Sequence, residues 1–240
     1  QQNNFFFIFP GIIVAFLGSL IYPTLSLHFL RDSLQKSIKE ACSIIIHSMQ
    51  VQEYQRKEDE LRRRIDQLNF NTVNQSRLLK DATQELIRPH QRKNLGRTVQ
   101  AMQNIAFMLL ALSDLFCERI ELIEEFFLPL NPYLEKIQKI MEHQAELFST
   151  FVVTQKKYFG RNRRNIQEVK ELMLKMFRKH KHKRKELVKK GLIYLFQPQL
   201  LQFHSYLFVL RDLLLTWEML IALSYQTNTT SFLTYAPYIK

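Results

Sequence analysis

No charged side chain occurs between Gln1 and Leu30, and the stretch Phe5–Tyr22 is almost wholly apolar. A helix rises about 1.5 Å per residue and a bilayer core is about 30 Å thick, so roughly 20 such residues span it. Tyr22 stands where an interfacial aromatic is expected, and charge resumes at Arg31, Lys36 and Lys39. Three readings compete for this segment. A secretory signal needs a basic start and a small-residue cleavage site, and neither is evident. A buried core helix seldom needs Phe5, Phe6, Phe7 and Phe9 in so short a run. A membrane helix over residues 1–29 is favoured. By the positive-inside tendency, the cations that follow place the rest of the chain in the cytoplasm. The two distant cysteines, Cys42 and Cys117, agree with a reducing compartment and argue against a disulfide scaffold.

Beyond the apolar run the periodicity is helical throughout. Leu27, Leu30, Leu34, Ile38, Cys42, Ile45 and Met49 form one stripe. Met102, Ile105, Leu109, Leu112, Phe116, Ile120, Ile123 and Phe127 form a second, with Asn104, Asp114, Glu118, Glu121 and Glu125 opposite. Stripes of this length belong to long amphipathic helices packed in a bundle. Further helices are expected at 75–88, 132–158, 163–190 and 198–226. Pro132 and Pro198 fall near helix starts, where a missing N–H is harmless, and Asn131 is a candidate cap. Breaks are expected at 69–74, 88–90, 128–132 and 159–161. No strand-like alternation occurs, so the fold class is all-α: a helical bundle over 30–226, followed by a tail at 227–240. Residues 192–210 carry no formal charge, yet His204, Arg211 and Glu218 recur every seven residues, which predicts a bundle helix with one wet face rather than a second span.

The net charge of +12 is concentrated in one place. Between Lys156 and Lys190 stand 15 Lys and Arg against Glu168, Glu171 and Glu186, so the remaining residues balance. The densest part gives the candidate polyanion-contact residues: Arg178, Lys179, Lys181, Lys183, Arg184, Lys185, Lys189 and Lys190. Such a patch attracts anionic lipid headgroups, nucleic acid or an acidic protein segment, or is simply a solvated helix face. Nucleic acid is disfavoured because no stacking aromatics interleave the run. His180 and His182 sit among cations, which opposes a divalent metal.

With five glycines, the chain holds no P-loop, dinucleotide fingerprint, GxSxG, HExxH or CxxC. The acidic group Glu118, Glu121, Glu124 and Glu125 lacks the ExxH partners of a di-iron bundle and reads as a solvated face. Trp217 falls on the apolar side of its helix, as a core anchor would. No catalytic residue, metal site or cofactor is indicated, and no enzymatic activity is expected.

The segment from Gly11 to Met49, with Tyr22-Pro23 and Arg31, resembles the end of the transmembrane block in the fusaric acid resistance/aromatic acid exporter family. There a last hydrophobic helix ends at an aromatic-Pro step, and an amphipathic helix enters a cytoplasmic helical domain. Leu110–Leu115 and Phe203–Leu213 with Trp217-Glu218 have a similar flavour, and the plant malate channels of the same broad superfamily share the layout. The basic run and the 19 Phe depart from the usual pattern. The resemblance implies conduction or export of organic or aromatic acids through a multi-span pore, and homodimers whose cytoplasmic bundles touch. The chain, which opens on Gln rather than Met, is then expected to be the C-terminal part of a longer protein, with the pore upstream of Gln1. The alternative is a single-span scaffold that binds partners or anionic lipids through its basic face.

Overall fold

The computed structural model describes residues 23–49, 58–83, 89–116, 129–149, 155–191 and 198–229. Six helices account for nearly all of them: α1 (Pro23–Met49), α2 (Glu58–Thr83), α3 (Pro89–Phe116), α4 (Asn131–Ser149), α5 (Gln155–Lys189) and α6 (Pro198–Thr229). No strand occurs among the described residues, so the all-α class holds.

The order of packing follows from the apolar stripes. In α1 Leu30, Leu34, Ile38, Cys42, Ile45 and Met49 are all buried, and Ala41, Ile44 and Ile46 widen the stripe. That width lets α1 touch three neighbours, α2, α3 and α4. In α3 the members Met102, Ile105, Leu109 and Leu112 are buried and Asn104 and Asp114 exposed, as the periodicity predicts. The later members, from Ile120 onward, lie outside the described residues together with the four glutamates. The most extensive contact is between α3 and α6, followed by α1 with α2 and α2 with α3; α5 is held by α4 and α6. Buried residues of all six helices join one hydrophobic core, with Trp217 and Phe203 its largest fully buried side chains.

Polar ties fix the register of the first three helices. Gln75 Nε2 donates to Ser37 Oγ at 2.8 Å and to Ser33 Oγ at 3.1 Å, which aligns α2 on α1. Gln103 Nε2 donates to Ser76 Oγ at 2.7 Å and ties α3 to α2. At the far end of α1 the Tyr206 hydroxyl of α6 donates to the Ser48 carbonyl at 3.1 Å.

Two expected breaks are not breaks. Residues 69–74 lie inside α2, where Leu61, Ile65, Leu68, Thr72 and Gln75 make a continuous buried face. The polar Asn69 and Thr72 fit because the Thr72 hydroxyl donates to the Asn69 carbonyl at 2.8 Å, within the helix itself. Residues 159–161 lie inside α5, since one glycine costs a helix only about 1 kcal/mol and 35 residues absorb it. Of the break expected at 88–90, Pro89 and His90 already belong to α3 and residue 88 lies outside the described residues, whereas at 128–132 a turn at 129–130 precedes α4. At the latter the Leu130 carbonyl accepts from Tyr133 N (2.9 Å) and Leu134 N (3.1 Å), which moves the cap from Asn131 to Leu130. The glycine that does shape the chain is Gly191, whose φ of 67° closes α5 with a bond from its N–H to the Val188 carbonyl (3.1 Å).

Among the described residues no helix is long and apolar enough to cross a membrane. Of the span expected over residues 1–29, residues 1–22 lie outside the described residues, and residues 23–29 form the start of α1.

The face assignment in α2 is open to test. Leu68→Ala should lower the free energy of urea unfolding by about 3 kcal/mol, because it empties a fully buried site. Phe70→Ala, two residues on and 66% exposed, should stay within about 0.5 kcal/mol. Equal effects would mean that the helix does not run through Asn69–Asn74 with this face inward.

Candidate polyanion-binding surface

Helix α5 turns Val169, Leu172, Met173, Met176, His180 and Leu187 inward, a 3.6-residue stripe in a strongly basic sequence. Of the eight candidate contact residues, Arg178, Lys179, Lys181, Lys185, Lys189 and Lys190 are exposed. Lys183 and Arg184 are half-buried, so the structure splits the group in two. Lys190 Nζ lies 2.7 Å and Lys183 Nζ 3.9 Å from Glu186 Oε1, and these cations hold the Glu186 carboxyl below its ordinary range.

Arg184 leaves the outer surface and reaches toward α6. Its Nη1 lies 3.4 Å from His204 Nε2. The rings of His204 and His180 are 4.9 Å apart at 80°, and Phe203 covers His180 from 4.9 Å. Burial, with His204 and Arg184 adding repulsion, pushes the His180 imidazole down to about 4 from its ordinary 6.5. Burial and then Arg184 also push His204 down. Both histidines are therefore neutral at pH 7. This Arg–His–His contact escaped sequence reasoning, which treated His180 as part of a charged run. The signal was its place four residues after Met176 and seven before Leu187, on the apolar stripe.

A second polar centre lies between α4 and α6. Trp217 is the core anchor its position predicts, and its Nε1 donates to Gln144 Oε1 at 2.8 Å. Gln144 Nε2 in turn faces both oxygens of Glu218, at 3.2 and 3.3 Å. Glu218, expected on the wet face with His204 and Arg211, is instead 4% exposed. The wet-face expectation fails because the Gln144 amide supplies an interior partner. Burial pushes its carboxyl up to about 7, with Gln144 and Lys170 acting in the opposite direction.

The described residues offer little chemistry beyond binding. Among them no group of three or more His, Cys, Asp or Glu is placed to hold a metal ion. Burial, helped by Glu142, pushes the Cys42 thiol up to about 12, so it is no nucleophile at neutral pH. What the arrangement can do is present cations on one long helix and keep two histidines poised beside them.

The two centres set opposite pH dependences. Glu218 binds its proton more tightly folded than unfolded, so its contribution is complete below pH 4.5 and lost as pH rises toward about 7. His180 contributes above pH 6.5, and its contribution is lost as pH falls toward about 4. Glu218→Gln should therefore flatten the fall in Tm between pH 5 and 7.5, a term of at most about 3 kcal/mol, and leave the acid-side fall in place. An unchanged alkaline-side slope would assign that slope to another group.

A scan against protein-family models found no match to the chain, and searches of curated proteins and of solved structures found none either.

Proposed function

We propose that the chain is the membrane-proximal C-terminal part of an integral membrane transporter or channel for organic or aromatic acids, with the helical bundle serving assembly or regulation. The observation that carries this reading is the charge-free run Phe5–Tyr22 immediately before α1, whose buried stripe starts at Leu30. A span-length apolar run next in sequence to a long, firmly packed helix suits a link between a bilayer and a bundle. In this reading residues after about 30 are cytoplasmic, the chains pair as homodimers, and the acid passes through a pore upstream of Gln1. The resemblance to the fusaric acid resistance/aromatic acid exporter family supports the choice of cargo, and the basic surface suits an anionic leaflet.

Alkaline carbonate extraction tests the anchor. The 240-residue chain should stay with the membrane pellet, and a chain lacking residues 1–22 should be released. Release of the full chain would end the anchor reading. Cells without the gene should accumulate more of an added aromatic acid such as benzoate; unchanged accumulation would count against the cargo.

The second reading, a single-span scaffold that binds anionic lipid through α5, is favoured by the six exposed cations of the candidate group on and just after that helix. Lys181→Glu and Lys185→Glu should each weaken binding to anionic vesicles several-fold at low salt. Lys183→Glu should do less, because Lys183 is half-buried and already near Glu186. Binding that ignores all three changes would remove the lipid role.

A further inference from the structure

Helix α6 carries a line of large apolar side chains that the bundle does not cover. Leu201, Phe208 and Leu215 recur every seven residues and are 70%, 51% and 40% exposed, with Met219 at 47% one turn further on. A period of seven keeps them on one side of the helix. Scattered exposed apolar residues are ordinary, but a row of this kind on one helix marks an interaction face.

The neighbouring edge of α5 shows what the face suits. Phe177 meets Phe208 with ring centroids 6.5 Å apart, and Arg184 meets His204, so these positions lie along the seam between the two helices. Lys181, four residues after Phe177 and three before Arg184, shares that edge and is exposed. Leu174, 57% exposed, continues it one turn back. Arg211 lies over the Phe208 ring with its guanidinium carbon 5.1 Å from the centroid. The seam is therefore apolar side chains edged by Lys181, Arg184 and Arg211. Of the carboxylates near the seam, Glu186 is paired with Lys190 and Asp212 with Arg211 at 2.8 Å, while Glu171, one turn before Leu174, accepts from Gln167 at 3.2 Å.

We propose that the α5–α6 seam docks onto an anionic bilayer, with Lys181 and Arg184 taking lipid phosphate or carboxylate while Leu201, Phe208 and Leu215 enter the acyl region. An apolar row flanked by cations is the pattern of a surface that lies in a membrane interface. A second copy of the chain fits less well, because pairing two such seams sets cation against cation. Arg184 adds a specific element to a diffuse charge. Its guanidinium makes only a 3.4 Å contact with the neutral His204 ring, and an anion offers that donor a stronger acceptor. The proposal rests on a bilayer being near, hence on the anchor reading, and is independent of transport.

The test uses the full 240-residue chain with Cys42 and Cys117 replaced by Ala and a single environment-sensitive fluorophore on Phe208→Cys or Leu215→Cys. The chain is reconstituted into phosphatidylcholine vesicles, with or without about one third phosphatidylserine. In the anionic vesicles both probes should brighten roughly twofold and be quenched by brominated acyl chains. Neutral vesicles should leave them unchanged, and so should the combined change Lys181→Gln with Arg184→Gln. A probe on Phe107→Cys of α3, 69% exposed, should not be quenched in either vesicle. Absence of quenching at 208 and 215 would overturn the proposal. So would brightening without quenching alongside a doubled particle mass, since a second copy would then occupy the seam. Carbonate extraction of the same vesicles separates the two readings: a pelleted but unquenched chain sinks the docking and keeps the anchor, whereas a released but quenched chain does the reverse.

Discussion

Removing the broad apolar stripe of α1 from water is the interaction on which the bundle depends. Leu30 to Met49 supplies nine buried apolar side chains over little more than five turns, and no single neighbouring helix is wide enough to cover them. Three helices therefore gather on α1, and the rest of the packing follows from that demand. The antiparallel partner α2 and, after it, α3 arrive by sequence proximity, α4 closes the remaining side, and α6 seals α3 while reaching the end of α1 through Tyr206. The hydrophobic term is non-directional, so it would tolerate a slipped register. The side-chain amides do not: the Nε2 groups of Gln75, on Ser33 and Ser37, and of Gln103, on Ser76, meet these hydroxyls in one alignment only.

Amphipathic stripes were the legible part of this chain, and the reasons are physical. Helical class, the burial of the α1 stripe, the inward face of α3 and the anchoring of Trp217 all follow from spacing, because burial of one face at a period of 3.6 is what a bundle helix is for. What spacing could not show was where polar residues find interior partners. Asn69–Asn74 looked like a break since its residues favour turns, yet Thr72 and Gln75 are accommodated inside α2. Glu218 looked solvated since carboxylates avoid interiors, yet an amide seventy-four residues away receives it. The Arg184–His204 contact was illegible for the same reason: it joins two helices whose relative rotation no periodicity reports. The eight basic candidates were found by density alone, and density could not tell the exposed six from Lys183 and Arg184.

The buried polar groups divide the bundle into regions of different character. Around α1, α2 and α3 the interior polar groups are neutral hydroxyls and amides, which are insensitive to pH. Around α4, α5 and α6 they are ionisable: Glu218 held near neutrality, His180 and His204 held as uncharged rings. The half of the bundle that carries the basic surface is thus also the half whose interior responds to protons.

Charge segregation onto α5 has a consequence for behaviour in solution. The helix of 35 residues extends for about 50 Å, several Debye lengths at physiological ionic strength, while the rest of the chain is nearly neutral. Mutual repulsion along this one rod is strongest in dilute buffer and fades as counterions accumulate. Added salt therefore relieves repulsion along α5 while it loosens the ion pairs of the other helices, such as Arg62 with Asp114, so that ionic strength acts with opposite sign on the α5 edge and on the rest of the bundle.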